Sequence, residues 1–221
     1  AGYYTMGRTL SAGDDAEVLI TAQVSEDFFP LMRVPPLIGR TFSAEETRRA
    51  QFNSAAAPVG ADPVVILSHA VWRQRFGGDP DIIERSVTIE RRSFRVVGVM
   101  PEGFAMPERG VQLWIPWDLS GERPRDQHYL GAVARLKAGV SIAAADQELN
   151  GVAVALAAEH PGTNRGWGVH VSPLQTEVVG DTAAVLWVLL AAVGLVLLVA
   201  CANVALLSLL AGLDRADDTA V

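Results

Sequence analysis

The sequence contains one cysteine, Cys201, and one lysine, Lys137, and each scarcity removes a class of explanation. A lone thiol cannot form an intrachain disulfide, so cross-links do not hold the fold together and cysteine usage does not report the redox compartment. Against 25 acidic residues there are 18 Lys and Arg, a formal net charge of -7. That balance argues against nucleic acid or an anionic lipid surface as partner, because both call for clustered cations. The four histidines, His69, His128, His160 and His170, fall on different segments with no i, i+4 pair and no HExxH, so no zinc site is legible. GxxxxGK, GxGxxG and GxSxG are all absent, and Gly77-Gly78 alone does not make a phosphate loop. Asp79-Pro80-Asp81 has the DxD spacing but lacks the glycine and distal glutamate of a calcium loop, and reads as a helix stop. Glu45-Glu46, and Glu102 with Glu108, are carboxylates that nothing in the sequence gathers around one pocket. No catalytic residue, cofactor or metal is expected.

Charge is missing from one whole stretch. No Asp, Glu, Lys or Arg lies between Asp181 and Asp214, and from Ala183 to Ala202 every residue is apolar or glycine. About 20 such residues as helix cross a hydrocarbon core of about 30 Å, so residues 181–213 read as a transmembrane helix. Ala183 to Leu213 would extend over roughly 46 Å at 1.5 Å per residue, longer than the core, which predicts tilt or a protruding stalk. Gly194, Cys201, Ala205, Ser208 and Gly212 recur at helical spacing and form a seam of small residues, the kind that lets helix backbones approach in lipid. Asn203 carries the one full amide in the span and predicts a polar contact with another helix. The alternative for each is a generic membrane helix, with Asn203 packed near the far interface.

The part before the span mixes polar and apolar residues and is large enough to bury one or two cores. Residues 1–15 carry no periodic signal and read as a partly ordered entry segment. Glu17 to Val24 alternates as a strand, after which Ser25 caps a short helix through Phe28, Phe29 and Met32. Ser43 to Asp62 reads as a helical turn passing into a loop. Val64 to Leu67 is a short buried strand, and Ser68 caps a helix that Gly77-Gly78-Asp79-Pro80 ends. Ser86 to Arg91 and Phe94 to Met100 form two strands about a tight turn, with Val87, Ile89, Val97 and Val99 inward, and Val111 to Pro116 is another strand. Gly121 to Gln127 is charged and loop-like. Tyr129 to Leu136 then predicts a strand. Ser141 caps a helix with Ile142, Ala145, Leu149, Val152 and Leu156 on one face, His160-Pro161-Gly162 stops it, and Gly168 to Leu174 returns as a strand. Strand, amphipathic helix and strand make a split βαβ half, which predicts an α+β fold with helices on one face of a sheet.

Several of these strings together resemble a known family. They are Val24-Ser25-Glu26-Asp27-Phe28-Phe29, Gly39-Arg40-Thr41-Phe42, Val65-Ile66-Leu67-Ser68 with Trp72, Phe76-Gly77-Gly78-Asp79-Pro80, Phe94 to Pro101 and Leu113-Trp114-Ile115-Pro116. Further on come Ala134 to Ser141, Asn164-Arg165-Gly166-Trp167 and Val193 to Val204. The combination resembles the MacB-type periplasmic core domain of ABC transporter permeases with FtsX-like membrane domains. The sequence departs from that family at four places. Glu84 stands near a usual glycine, Arg91-Arg92 near a usual Asp-Gly turn, and Leu206 at a usual second asparagine. Asp214, Arg215, Asp217 and Asp218 replace a basic exit from the helix.

The resemblance implies a porter-like subdomain at 1–42 and 126–180 and an inserted sabre-like α+β subdomain at 43–125. The span follows at 181–213, with a cytoplasmic stub at 214–221. It implies a fragment of a permease in a bacterial inner membrane, with its soluble part periplasmic, that transmits cytoplasmic ATP hydrolysis to periplasmic motion without catalysing a reaction itself. The implied partners are an ABC ATPase subunit or domain, a second permease copy as homodimer or pair, the bilayer, and a periplasmic protein. A membrane-tethered extracytoplasmic ligand-binding module without an ATPase is the alternative, and an anchored secreted hydrolase a weaker third.

Overall fold

The computed structural model describes residues 1–12, 15–50, 63–119, 126, 128–179 and 182–218. Most of the polar stretch expected after Ser43, residues 51–62, and nearly all of the loop at 121–127 lie outside them. Two compact units are present, Ala1–Val171 and Ser172–Val221.

The first unit is built on one mixed sheet of eight described strands: β1 (Gly2–Ala12), β2 (Asp15–Val24), β3 (Ile38–Gly39), β4 (Val64–Leu67), β5 (Ser86–Ile89), β6 (Arg92–Val99), β7 (Leu113–Pro116) and β8 (Gly131–Ala132). Its order is β2-β7-β4-β6-β5-β1-β8, and β1 also pairs with β2. Followed around, the pairings β2–β7–β4–β6–β5–β1 return to β2, so six strands close a ring, with β8 on the opposite end of β1 and β3 added to β6. Strands from both expected subdomains, 1–42 with 126–180 and 43–125, share this sheet.

Residues 1–15 are not a loose entry. β1 runs antiparallel to β2 from Tyr3↔Val24 to Ala12↔Asp15. Gly2, Gly7 and Ser11 weaken its intrinsic strand signal, and ten cross-strand pairs supply what local propensity lacks. Ser25 does not cap the following helix, α1 (Phe28–Met32), because its hydroxyl accepts the Gly2 N–H at 3.1 Å and Asp27 holds the N-cap position.

Alternation along the strands sorts the core onto two faces. Leu10, Leu19, Val65, Leu67, Ile89, Phe94, Val96, Leu113 and Ile115 meet on one, drawn from every strand of the ring, with Val71 and Trp72 of helix α3 (His69–Phe76) packed among them. Val24, Val64, Ile66, Val97 and Trp114 meet on the other beneath Phe28 and Phe29. α3 begins as its sequence predicts: the Ser68 hydroxyl accepts the Val71 N–H, and Gly77 ends the helix at φ 65°. Helix α2 (Ala44–Arg49) starts with a reciprocal capping box between Ser43 and Glu46.

The expected strand–helix–strand half at 129–174 takes a different form. Its first strand contracts to β8, and its helix, α4 (Ile142–Glu159), forms with Ser141 as N-cap. His160 ends α4, and a four-residue helix α5 (Pro161–Asn164) follows immediately. Residues 168–173 form no regular element and join no sheet. The apolar face of α4 is not laid on the sheet: Ala145 is buried, whereas Leu149 is 43% and Val152 51% exposed. Periodicity identifies an apolar face but not the surface that covers it.

The second unit contains α6 (Leu174–Val179) and α7 (Thr182–Asp218). Leu186–Val204 within α7 has a mean hydropathy of 2.5 and none of it is buried, so by length and composition it is able to cross a membrane.

Candidate functional site

Several of the polar groups that could suggest chemistry are committed to structure. Asp79 accepts the Asp81 N–H through Oδ1, pairs with Arg85 through Oδ2 at 2.7 Å, and its carbonyl accepts the Trp72 indole N–H at 2.8 Å. Its carboxylate thus caps the 3-10 turn Pro80–Ile82 that follows, while Gly77 ends α3. His69 packs on Trp72 at an edge angle, His128 stacks on Trp167 with centroids 3.9 Å apart, and His160 lies 3.5 Å from Glu159. Glu108 accepts the Thr5 hydroxyl at 2.8 Å, while Glu102 lines a groove. Among the described residues no group of three or more His, Cys, Asp or Glu could hold a metal ion.

Among the described residues Glu46 is the most perturbed carboxylate. Burial alone would raise its pKa, but the Arg40 guanidinium, bonded to both carboxylate oxygens at 2.7 and 2.8 Å, and the Ser43 backbone N–H hold it down at about 2. Arg40 is raised in turn by the same bond. This pair fastens α2 to the segment after β3 and has the chemistry of a structural ion pair.

A groove of about 510 Å³ runs beside α3, lined by Ser68, His69, Arg73, Pro101, Phe104 and Val111. Its lining is largely apolar, and its one buried hydroxyl, Ser68, is already bonded to Val71.

All five seam residues and Asn203 fall on α7. At 100° per residue the seam positions lie within about 60° of one another, and Asn203 lies about 180° from Gly194. The helix thus presents small residues and the amide to opposite sides. Cys201 and Asn203 are exposed, and a methyl group added at Gly194 would meet nothing. The side chains of residues 205–218, which include Ala205, Ser208 and Gly212, are outside the described set.

Sequence reasoning overlooked one constellation. Asn150, midway along α4, accepts the Val169 N–H at 3.1 Å and donates to the Val169 carbonyl at 2.7 Å, as a residue of a neighbouring strand would. One turn earlier, Asp146 accepts the Val171 N–H at 2.9 Å through Oδ1, and its Oδ2 accepts from the Asn150 amide at 3.1 Å. Two polar side chains four apart on a helix were the available signal, but they also describe an ordinary solvated face.

The model of the MacB-like periplasmic core domain matches residues 1–152. A probable export ATP-binding/permease protein MacB of Pseudomonas entomophila is 24% identical over 139 residues, 62% of this chain and 19% of the relative. A macrolide export ATP-binding/permease protein MacB of Chlorobaculum tepidum is 31% identical over 131 residues, 58% and 18%. The chain therefore spans about a fifth of the length of these curated relatives. Among solved structures, the periplasmic region of MacB from Actinobacillus actinomycetemcomitans aligns at TM-score 0.49 and 15% identity, covering 74% of this chain and 69% of that one. The extracellular domain of the noncanonic ABC-type transporter YknZ from Gram-positive bacteria aligns at 0.39 and 14%, covering 52% and 54%. With the family model covering well over half of its length, this chain belongs to the family of MacB-like periplasmic core domains.

Proposed function

We propose that this chain is the periplasmic domain and one membrane helix of an ABC transporter permease in a bacterial inner membrane. In this reading the helix carries motion from a cytoplasmic ATPase to the soluble unit. The observation that carries it is the joining, in one chain, of a family-matched soluble unit to a helix whose apolar window is entirely exposed. Among the described residues, the commitment of Asp79, Glu46, His69 and His128 to caps, an ion pair and ring stacks favours a mechanical role over a catalytic one. The division into a porter-like part at 1–42 and 126–180 and a sabre-like insertion at 43–125 belongs to the same proposal.

Opposite faces of α7 call for two neighbours. The seam of Gly194, Cys201, Ala205, Ser208 and Gly212 suits close helix packing, as in a permease dimer, while Asn203 suits a polar contact with a different helix. The test is to isolate the protein with whatever it binds from its native membrane. An ABC ATPase, fused or copurifying, is the expected result, and a protein that purifies intact with no ATPase in the chain or the complex would contradict the proposal.

The groove beside α3 favours a second reading, a tethered module that binds a ligand without a motor. Saturable binding of a small molecule that Phe104→Ala abolishes, in a protein lacking any ATPase, would select it.

A further inference from the structure

We infer that Asp146 and Asn150 form a releasable clasp that sets where tension from the membrane helix enters the soluble unit. Segment 168–171 joins no strand, and it is bonded to α4 through Asn150, which engages both backbone groups of Val169, and through Asp146, which accepts the N–H of Val171. Those side chains sit one turn apart, and Asp146 Oδ2 orients the Asn150 amide. The soluble unit ends at Val171, the residue Asp146 holds. From there the chain runs through α6 into α7.

The position of the clasp decides the path of a pull. While it is closed, tension at Ser172 enters α4 near its middle, at residues 146–150. Once it opens, and the His128–Trp167 stack and α5 give way with it, residues 160–171 are drawn straight, which at about 3.5 Å per residue reaches up to about 40 Å. Both Asn150–Val169 bonds are exposed to water, so they exchange readily with solvent and the clasp releases before the buried sheet does. Gly168 matches this use, since a Cβ there would come within 3.2 Å of the Asn150 side-chain oxygen.

The inference takes its purpose from the permease reading, but its test needs no nucleotide, so an absent ATPase would sink that reading and leave this one standing. The full chain in lipid nanodiscs is compared with Asp146→Ala/Asn150→Ala by amide hydrogen exchange. The Val169 and Val171 amides should exchange at least tenfold faster in the variant, while Ile66 and Val96 in the sheet keep their protection. Asp146→Asn should retain protection at Val171, because its amide oxygen still accepts that N–H. In a Cys201→Ser background, force is applied between handles at Lys137→Cys and Thr176→Cys. The first extension should be tens of ångströms long and should occur at clearly lower force in the double variant. Unchanged exchange at Val169 and Val171, an equal loss of protection in the sheet, or an unchanged first rupture force would each overturn the clasp.

Discussion

Glu90 closes the strand ring by pairing twice with Thr9: its backbone N–H donates to the Thr9 carbonyl at 2.9 Å, and its carboxylate accepts the Thr9 N–H at 2.8 Å. A side-chain oxygen thereby takes the place of a strand carbonyl beyond the two regular β1–β5 pairs, Leu10↔Ile89 and Ser11↔Thr88. Glu90→Ala should cost about 1 kcal/mol in urea unfolding, the net worth of one exposed bond of this kind, whereas Glu90→Gln, which keeps an acceptor, should cost less. Equal losses in the two variants would show that the carboxylate oxygen is not acting as a ladder acceptor.

The same hairpin carries strain. Glu90 and Arg91 have φ of 50° and 62°, the left-handed pair of a two-residue turn that ordinarily uses Asn-Gly or Asp-Gly. Arg91 is exposed, so Arg91→Gly relieves a Cβ penalty and should stabilise the unit by about 1 kcal/mol, read as a raised melting temperature. A lowered melting temperature would mean that unfolded-chain entropy outweighs the strain.

Acid should loosen α2 before the sheet. Because Glu46 has a folded pKa of about 2, below its usual 4.5, the stability it contributes is complete above about pH 4.5 and is lost as pH falls toward 2. With Arg40 half exposed, solvent screening reduces that contribution to roughly 1–2 kcal/mol. Glu46→Gln should flatten stability over that window and leave neutral-pH unfolding cooperative. Identical acid profiles for the two proteins would contradict the assignment.

Punctuation residues made much of this fold readable. Ser68, Gly77, Ser141 and Ser43 each do locally what their type requires, so α2, α3 and the start of α4 follow from sequence. β4 was legible from Val64 to Leu67, four apolar residues that are buried on both faces. β1 was not, since its two glycines hide a strand that forms by pairing with β2. The ring closure was hidden for a related reason: Glu90 looks like a turn residue until Thr9, 81 positions away, is beside it. At 168–171 the expected strand does not form, Val169 is exposed, and helix side chains rather than a strand edge took the backbone bonds. The span needed no tertiary context, because its signal is composition and length.

Orientation is the point on which sequence and family disagree. Asp214, Arg215, Asp217 and Asp218 follow the span where cytoplasmic flanks ordinarily carry Lys and Arg. The permease reading nevertheless places the soluble unit outside. In intact cells with a Cys201→Ser background, an impermeant maleimide should label Gln147→Cys directly and Ala216→Cys only after permeabilisation. The reverse pattern would invert the topology.

In the permease proposal the soluble unit is moved from the membrane without chemistry of its own. Amide exchange of residues 1–171 in nanodiscs, together with the ATPase that this proposal calls for, reads that motion with ATP, without it and with hydrolysis blocked. A nucleotide-dependent change within residues 128–171 that vanishes when hydrolysis is blocked is the expected result, while the isolated soluble unit shows no response to ATP. Identical exchange in all three states of an actively hydrolysing complex would contradict it.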